Sequence, residues 1–258
     1  MQGSPNSRSF WDGRRTALII AHPGHELLVH GWLEQARPTV FVLTSSACKA
    51  GKLKIATTAA IVEQAGARIG CLFGRCTERG LHHSLLLGEK ERFNAITQEL
   101  ADALLSESID FVAGDAAEGI DPAHDLCRVL IDAAIGIAAA VRPNLKNYEF
   151  PLLGESGARS STLHQYISGD AWLRKFASCR AYAEPVEEVQ RHVANDGIDS
   201  LRMEWLRLAT PWAIRNRRNV LYARVNEGRM PAIQFQKHFL PVAGAIHRYV
   251  TGGYSRAA

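Results

Sequence analysis

Five short apolar runs limit what this chain can fold into. They are TALIIA (16–21), TVFVLT (39–44), IGCLF (69–73), DFVAGD (110–115) and NYEFPLL (147–153), and helical patterns at 25–36, 52–67, 90–107 and 122–141 fall between them. In the third pattern Phe93, Ile96, Leu100, Leu104 and Leu105 recur at the spacing of one helix face. Strands that are apolar throughout, rather than at every second residue, are buried on both sides. The order of elements therefore predicts an α/β fold: a Rossmann-like, mostly parallel sheet with helices on both faces. Ligands of such sheets bind beyond the carboxyl ends of the strands, where the strand order reverses.

The rhythm changes after about residue 155. Helical patterns are read at 170–183, 185–194, 200–208 and 239–250, with a strand at 220–225. The reading is a single domain over 1–258, with a core at about 14–155 and a mainly helical C-terminal elaboration at about 156–258. The elaboration is where an interface between copies, if the protein is a homo-oligomer, is expected.

Composition excludes several classes of partner. The net charge of +4 is mild, and the densest basic run, Arg215 to Arg218, lacks the interleaved aromatics of a nucleic-acid surface. The longest apolar stretch, 133–141, is too short to span a bilayer, and the polar opening MQGSPNSRSFWDGRR lacks the core of a signal peptide. Five scattered cysteines (48, 71, 76, 127, 179) with no C-x-x-C pair fit reduced thiols. A cytoplasmic protein that acts on a small molecule, with neither nucleic acid nor membrane as partner, is the expectation.

Two loops carry the chemistry. The first strand runs into His22-Pro23-Gly24-His25-Glu26, and the fourth is followed by Asp121-Pro122-Ala123-His124-Asp125. Each reads X-Pro-x-His followed by a carboxylate. Proline suits the first helical position, where its missing N–H has no partner to lose. X is then an N-cap, and the histidine projects from the first turn of a helix at the carboxyl edge of the sheet. If the two strands are neighbours, the imidazoles of His22, His25 and His124 converge. Three protein nitrogens with a vacant fourth position are the pattern of a catalytic zinc. The ordinary alternatives are that Asp121 is only an N-cap and that Glu26 and Asp125 are only first-turn acids favoured by the helix dipole.

At these residues the chain resembles the PIG-L/LmbE-type N-acetylglucosaminyl deacetylases, which open with A-H-P-D-D-E after the first strand and carry H-P-D-H after the fourth. The counterparts here are Ala21-His22-Pro23-Gly24-His25-Glu26 and Asp121-Pro122-Ala123-His124, and the resemblance covers roughly the first 150 residues. It implies that His22 and His124 bind zinc and that His25 stands in for an aspartate ligand. Gly24 takes the place of the family's general base, and Asp121 that of a histidine assisting the tetrahedral intermediate. The resemblance also points to Lys54 and Glu78, after the second and third strands, as substrate-binding residues, nearest to a substrate-contacting arginine and to an aspartate that binds sugar hydroxyls.

The departures fit together physically. Exchanging an anionic ligand for imidazole leaves the ion more positive, and an all-histidine zinc can bring the pKa of its bound water to roughly 7. Hydroxide would then form without an adjacent carboxylate base. Proton transfer to the leaving group still needs a partner: Asp121 is the best-placed candidate, and Glu26, Asp115, Glu118 and Asp125 are weaker ones. Imidazole ligands also suit other divalent transition metals. No P-loop lysine motif, nucleophile elbow or G-x-G-x-x-G is present. The expected activity is metal-dependent hydrolysis of an amide, such as an N-acyl group on a sugar-like or specialised metabolite. Two alternatives stay open: a catalytically altered relative that binds a small molecule or partner protein, and redox or lyase chemistry at the metal.

Overall fold

The computed structural model describes residues 11, 13–45, 54–152, 162–210, 222 and 232–253. Cys48, the loop at 46–53, the GESGA stretch (154–158), the basic run at 215–218 and all of the strand expected at 220–225 except Tyr222 lie outside the described residues.

The first five strands are β1 (Thr16–Ile20), β2 (Thr39–Thr44), β3 (Arg68–Cys76), β4 (Phe111–Asp115) and β5 (Lys146–Phe150). They run parallel in the order β3-β2-β1-β4-β5. The chain winds outward from β1 to β3 and then returns to place β4 on the other side of β1, so the order reverses between β1 and β4. Ile19 lies opposite Gly114, which sets the carboxyl ends of these two strands side by side.

Both faces of the sheet are dry at β1, β2 and β4, as their unbroken apolar runs require, whereas β3 at the edge is largely exposed. Ala17 and Ile19 of β1 join one core with Phe93, Leu100 and Leu104 of α4 (Lys90–Ser106), Leu130 and Ala134 of α5 (Pro122–Ala139), and Ile246 of α8 (Leu240–Gly253). Leu18 and Ile20 point the other way, into a core with Trp32 and Leu33 of α1 (His30–Ala36) and Ile61 and Val62 of α2 (Lys54–Gln64). A side chain at Gly114 would meet Ile131 Cδ1 at 2.5 Å and the Ile19 carbonyl oxygen at 2.7 Å, so its absence lets α5 lie directly on β4.

The C-terminal part departs from the sequence expectation by adding two strands to the sheet, β6 where the sequence reads as no element and β7 where it reads as helix. Residues 200–208, read as helix, form the end of a 3₁₀ turn (Ile198–Arg202) and then β7 (Met203–Leu208). β7 runs antiparallel to β5, and β6 (Thr162–Tyr166) runs antiparallel to β7, which completes a seven-stranded mixed sheet. The other described elements of this part are helical: α6 (Gly169–Ala181), α7 (Glu187–Asp196), a π-helical turn (Phe235–Phe239) and α8. A further helix, α3 (Glu78–Leu87), occupies what reads in the sequence as a loop.

Glu204 of β7 fastens this part to the core. Val29, at the N-cap position of α1, makes no side-chain cap, and the buried Glu204 carboxylate instead accepts the Gly31 and Trp32 N–H groups at 2.8 and 2.9 Å. Lys175 of α6, also buried, donates to the same carboxylate at 2.9 Å, as does the Gln165 amide at 2.7 Å. A charged acceptor compensates the helix terminus, and the ammonium compensates the acceptor. No helix among the described residues is long and apolar enough to cross a membrane.

Candidate metal centre

The three histidines meet where the strand order reverses. Ring centroids lie 5.4 Å apart for His22 and His25, 5.1 Å for His22 and His124, and 4.8 Å for His25 and His124. All three side chains are buried, His25 completely.

The two loops reach this point by different local geometry. Asp121, Pro122 and His124 follow the expected pattern: Asp121 is the N-cap of α5, Pro122 opens the helix, and Asp121 Oδ1 accepts the Ala123 N–H at 2.6 Å. In the first loop the helical turn starts later. Gly24, not His22, is the N-cap, and His25 is the first residue of a 3₁₀ turn (His25–Val29) that leads into α1. Gly24 has φ +108°, and a Cβ built there would lie 2.6 and 2.7 Å from the two Val186 methyls. Only glycine turns the chain this way without strain, so both strand-end histidines can face the same point.

Strand-end neighbours fix which nitrogen each ring presents. Thr44, the last residue of β2, donates its hydroxyl to the Ala21 carbonyl at 3.0 Å and so accepts from His22 Nδ1 at 2.8 Å. Asp115, the last residue of β4, accepts from His25 Nδ1 at 2.8 Å and from the Ala21 N–H at 2.7 Å. These bonds occupy Nδ1 of His22 and His25, so Nε2 is the nitrogen each ring has left to offer a ligand once it is unprotonated. His25 Nε2 is fully buried and makes no hydrogen bond.

With two carboxylates the candidate ligand atoms fall into two trios that share His124, and His22 and His25 are not grouped together. Asp121 groups with His22 and His124, and Glu188 with His25 and His124, the candidate ligand atoms of each trio lying within 4.8 Å of one another. The Glu188 oxygens stand 3.7 Å from His25 Nε2 and 3.8 Å from His124 Nε2. Glu188 comes from the first turn of α7, far from either loop motif, and is the member of the site that the sequence reading missed. Acids are common in first turns, and nothing in PVEEV separates it from Glu187.

Charge is tightly coupled here. Burial works to lower the His25 pKa, but the negative charges of Asp115 and Glu188 and the Asp115 hydrogen bond outweigh it and raise the pKa well above the usual value. His124 is driven down to about 4, first by burial and then by the neighbouring imidazoles, against the pull of Asp121 and Glu188. Burial opposes ionisation of both acids, yet the surrounding imidazoles hold Glu188 and Asp121 below the usual carboxylate range.

The remaining candidates are placed as follows. Glu26 is completely buried with both oxygens engaged, Oε2 accepting the Gly24 N–H at 2.8 Å and Oε1 accepting the Tyr182 O–H. It braces the Gly24 turn and is not in either trio of potential ligands. Burial raises its pKa. Asp125 accepts the Gly119 N–H and Glu118 the Leu152 N–H, each at 3.0 Å, so both tie loops together. Lys54 opens α2 and Glu78 opens α3 at the same sheet edge, and neither bonds to the histidine cluster among the described residues. Of the adjacent histidines on α3, His82 is buried and His83 exposed. His30 packs inside, with Nε2 against the Ser178 hydroxyl at 2.9 Å.

The chain is similar in structure to deacetylases of teicoplanin biosynthesis. A triple mutant of the Orf2 deacetylase is 15% identical, covering 72% of this chain and 87% of that one with a TM-score of 0.48. The zinc-inhibited form of teicoplanin deacetylase Orf2 is 14% identical, covering 72% and 90% with a TM-score of 0.47. A deacetylase–teicoplanin complex is 13% identical, covering 75% and 97% with a TM-score of 0.47. No family model matches the chain, and neither does any curated protein.

Proposed function

We propose that this protein is a metal-dependent hydrolase that cleaves an amide, with His22, His25 and His124 holding zinc or another divalent transition metal. The observation that carries the reading is the convergence of three buried imidazoles, with His25 Nε2 fully buried, without a hydrogen bond and 3.7 Å from a Glu188 oxygen. A cation is the partner that converging imidazole nitrogens and carboxylates accept together. The donor set fits such an ion, and the Thr44 and Asp115 hydrogen bonds supply the orienting second contact that metal-binding histidines generally have.

A divalent ion held there supplies Lewis acidity, polarising a carbonyl and acidifying water. The chain's own residues do the rest. Asp115 and Thr44 keep the rings aimed. Asp121 keeps one oxygen on its helix cap, and its carboxylate, beside His124 and His22, takes a proton from the attacking water and passes it to the leaving nitrogen. The substrate class we favour is an N-acyl group on a sugar-like or specialised metabolite, with Lys54 and Glu78 at the rim as contacts.

The test is metal analysis by elemental mass spectrometry on untagged protein, together with hydrolysis of a panel of N-acyl amino sugars. One ion per chain, with metal and activity both lost in His22→Ala and His124→Ala, is expected. Metal-free, folded protein that is inert when zinc is supplied would refute the reading.

The Val186 methyls filling the space beside Gly24 favour a second reading, a relative that keeps the metal but only binds small molecules. It predicts stoichiometric metal with no turnover of any amide tested.

A further inference from the structure

Glu188 is placed as no loop residue is. Its helix, α7, lies outside the β1 and β4 loops, and the Val186 side chain just before it packs against Gly24. From there Glu188, a residue only 9% exposed, splits its two carboxylate oxygens between His25 Nε2 at 3.7 Å and His124 Nε2 at 3.8 Å. Both distances are too long for hydrogen bonds. Two donors that share an ion, each about 2.1 Å from it, lie roughly 3–4 Å apart. Asp121 approaches the histidines through His22 and His124, whereas Glu188 faces the pair His25 and His124. His25 Nε2 therefore looks onto an anionic oxygen across a gap of ionic size.

We infer that Glu188 joins His25 and His124 as a protein ligand of the ion, so that metal binding is linked to the docking of α7. The inference rests on the metal reading above. It makes the ion a joint between the sheet edge and the C-terminal part. Because the donor arrives on a helix, binding the ion orders that helix, and loosening the helix weakens the ion.

The experiment is a titration of the full-length protein with zinc alone against a chelating indicator, for wild type, Glu188→Gln and His124→Ala, with hydrogen exchange of residues 187–196 followed with and without zinc. Glutamine keeps the size and removes the charge. The expected result is at least about tenfold weaker zinc binding by Glu188→Gln, and zinc-dependent protection of α7 in wild type that is missing in the variant. Equal affinity of wild type and Glu188→Gln, with binding lost in His124→Ala, would overturn the Glu188 assignment and leave the metal reading standing. No zinc binding by wild type would remove the metal reading, and this inference with it. Should Glu188→Gln not fold, the wild-type exchange decides: protection of α7 unchanged by zinc overturns the inference.

Discussion

Gly24→Ala probes the turn that brings His22 and His25 together. At φ +108° an L-residue carries strain of about 1–2 kcal/mol, and the new methyl would lie 2.6 and 2.7 Å from the Val186 methyls. Forcing a buried contact of that kind costs about 1–3 kcal/mol more, so the single substitution should destabilise by about 2–5 kcal/mol. Val186→Ala alone empties a buried site and should cost about 1–3 kcal/mol. Combined, the second change removes the two closest contacts made by the first and leaves the Cβ of residue 186 at 3.2 Å, so the backbone strain, the lost packing and this milder contact remain. The double variant should then be more stable than the sum of the singles by about 1–3 kcal/mol. Urea denaturation followed by tryptophan fluorescence measures all four corners of this cycle. Additivity within about 0.5 kcal/mol, or a Gly24→Ala cost below about 1 kcal/mol, would refute the steric account. The same contact explains why an aspartate would not fit at position 24: its first carbon already has nowhere to go.

Three further outcomes follow from the geometry. Asp115→Asn removes the anionic acceptor that orients His25, and zinc affinity in a chelator competition should fall about 10–100-fold with the fold intact; unchanged affinity would contradict the orienting role. Lys175→Met strands the buried Glu204 carboxylate and should cost about 3–5 kcal/mol in urea denaturation, part of it recovered by adding Glu204→Gln; a loss under about 1 kcal/mol would mean that the pair is not what bolts β7 to α1. Zinc affinity should rise with pH through and beyond 6.5. The proton that Asp115 and Glu188 stabilise on His25 must leave before the ion can bind, whereas His124, lowered to about 4, is already neutral. Titrations at about pH 6, 7 and 8 that return one affinity would contradict this.

What could be read in the sequence, and what could not, follows from how each residue is solvated. The parallel core was legible because β1, β2 and β4 are buried on both faces and so spell unbroken apolar runs. The histidine cluster was legible because its loops follow the two strands that flank the switch point. β7 was not. Its inward positions are Glu204 and Leu206, and a buried glutamate that caps a distant helix erases the apolar alternation that marks a strand. α3 was hidden by Gly80 and the adjacent histidines, which break up its apolar stripe. The pairing of the two loops as identical motifs held for Asp121 and Pro122 but not for His22 and Pro23, because the positive φ of Gly24 shifts the start of the helical turn. Glu188 left no trace at all, since its role exists only once α7 crosses to the sheet edge.

The account depends on one ion shared among His22, His25 and His124. An anomalous-difference map from crystals grown with zinc and collected at the zinc edge tests it directly. One peak within bonding distance of all three Nε2 atoms is the predicted result. Density for a zinc ion held elsewhere, or none among the three rings at saturating zinc, would contradict it.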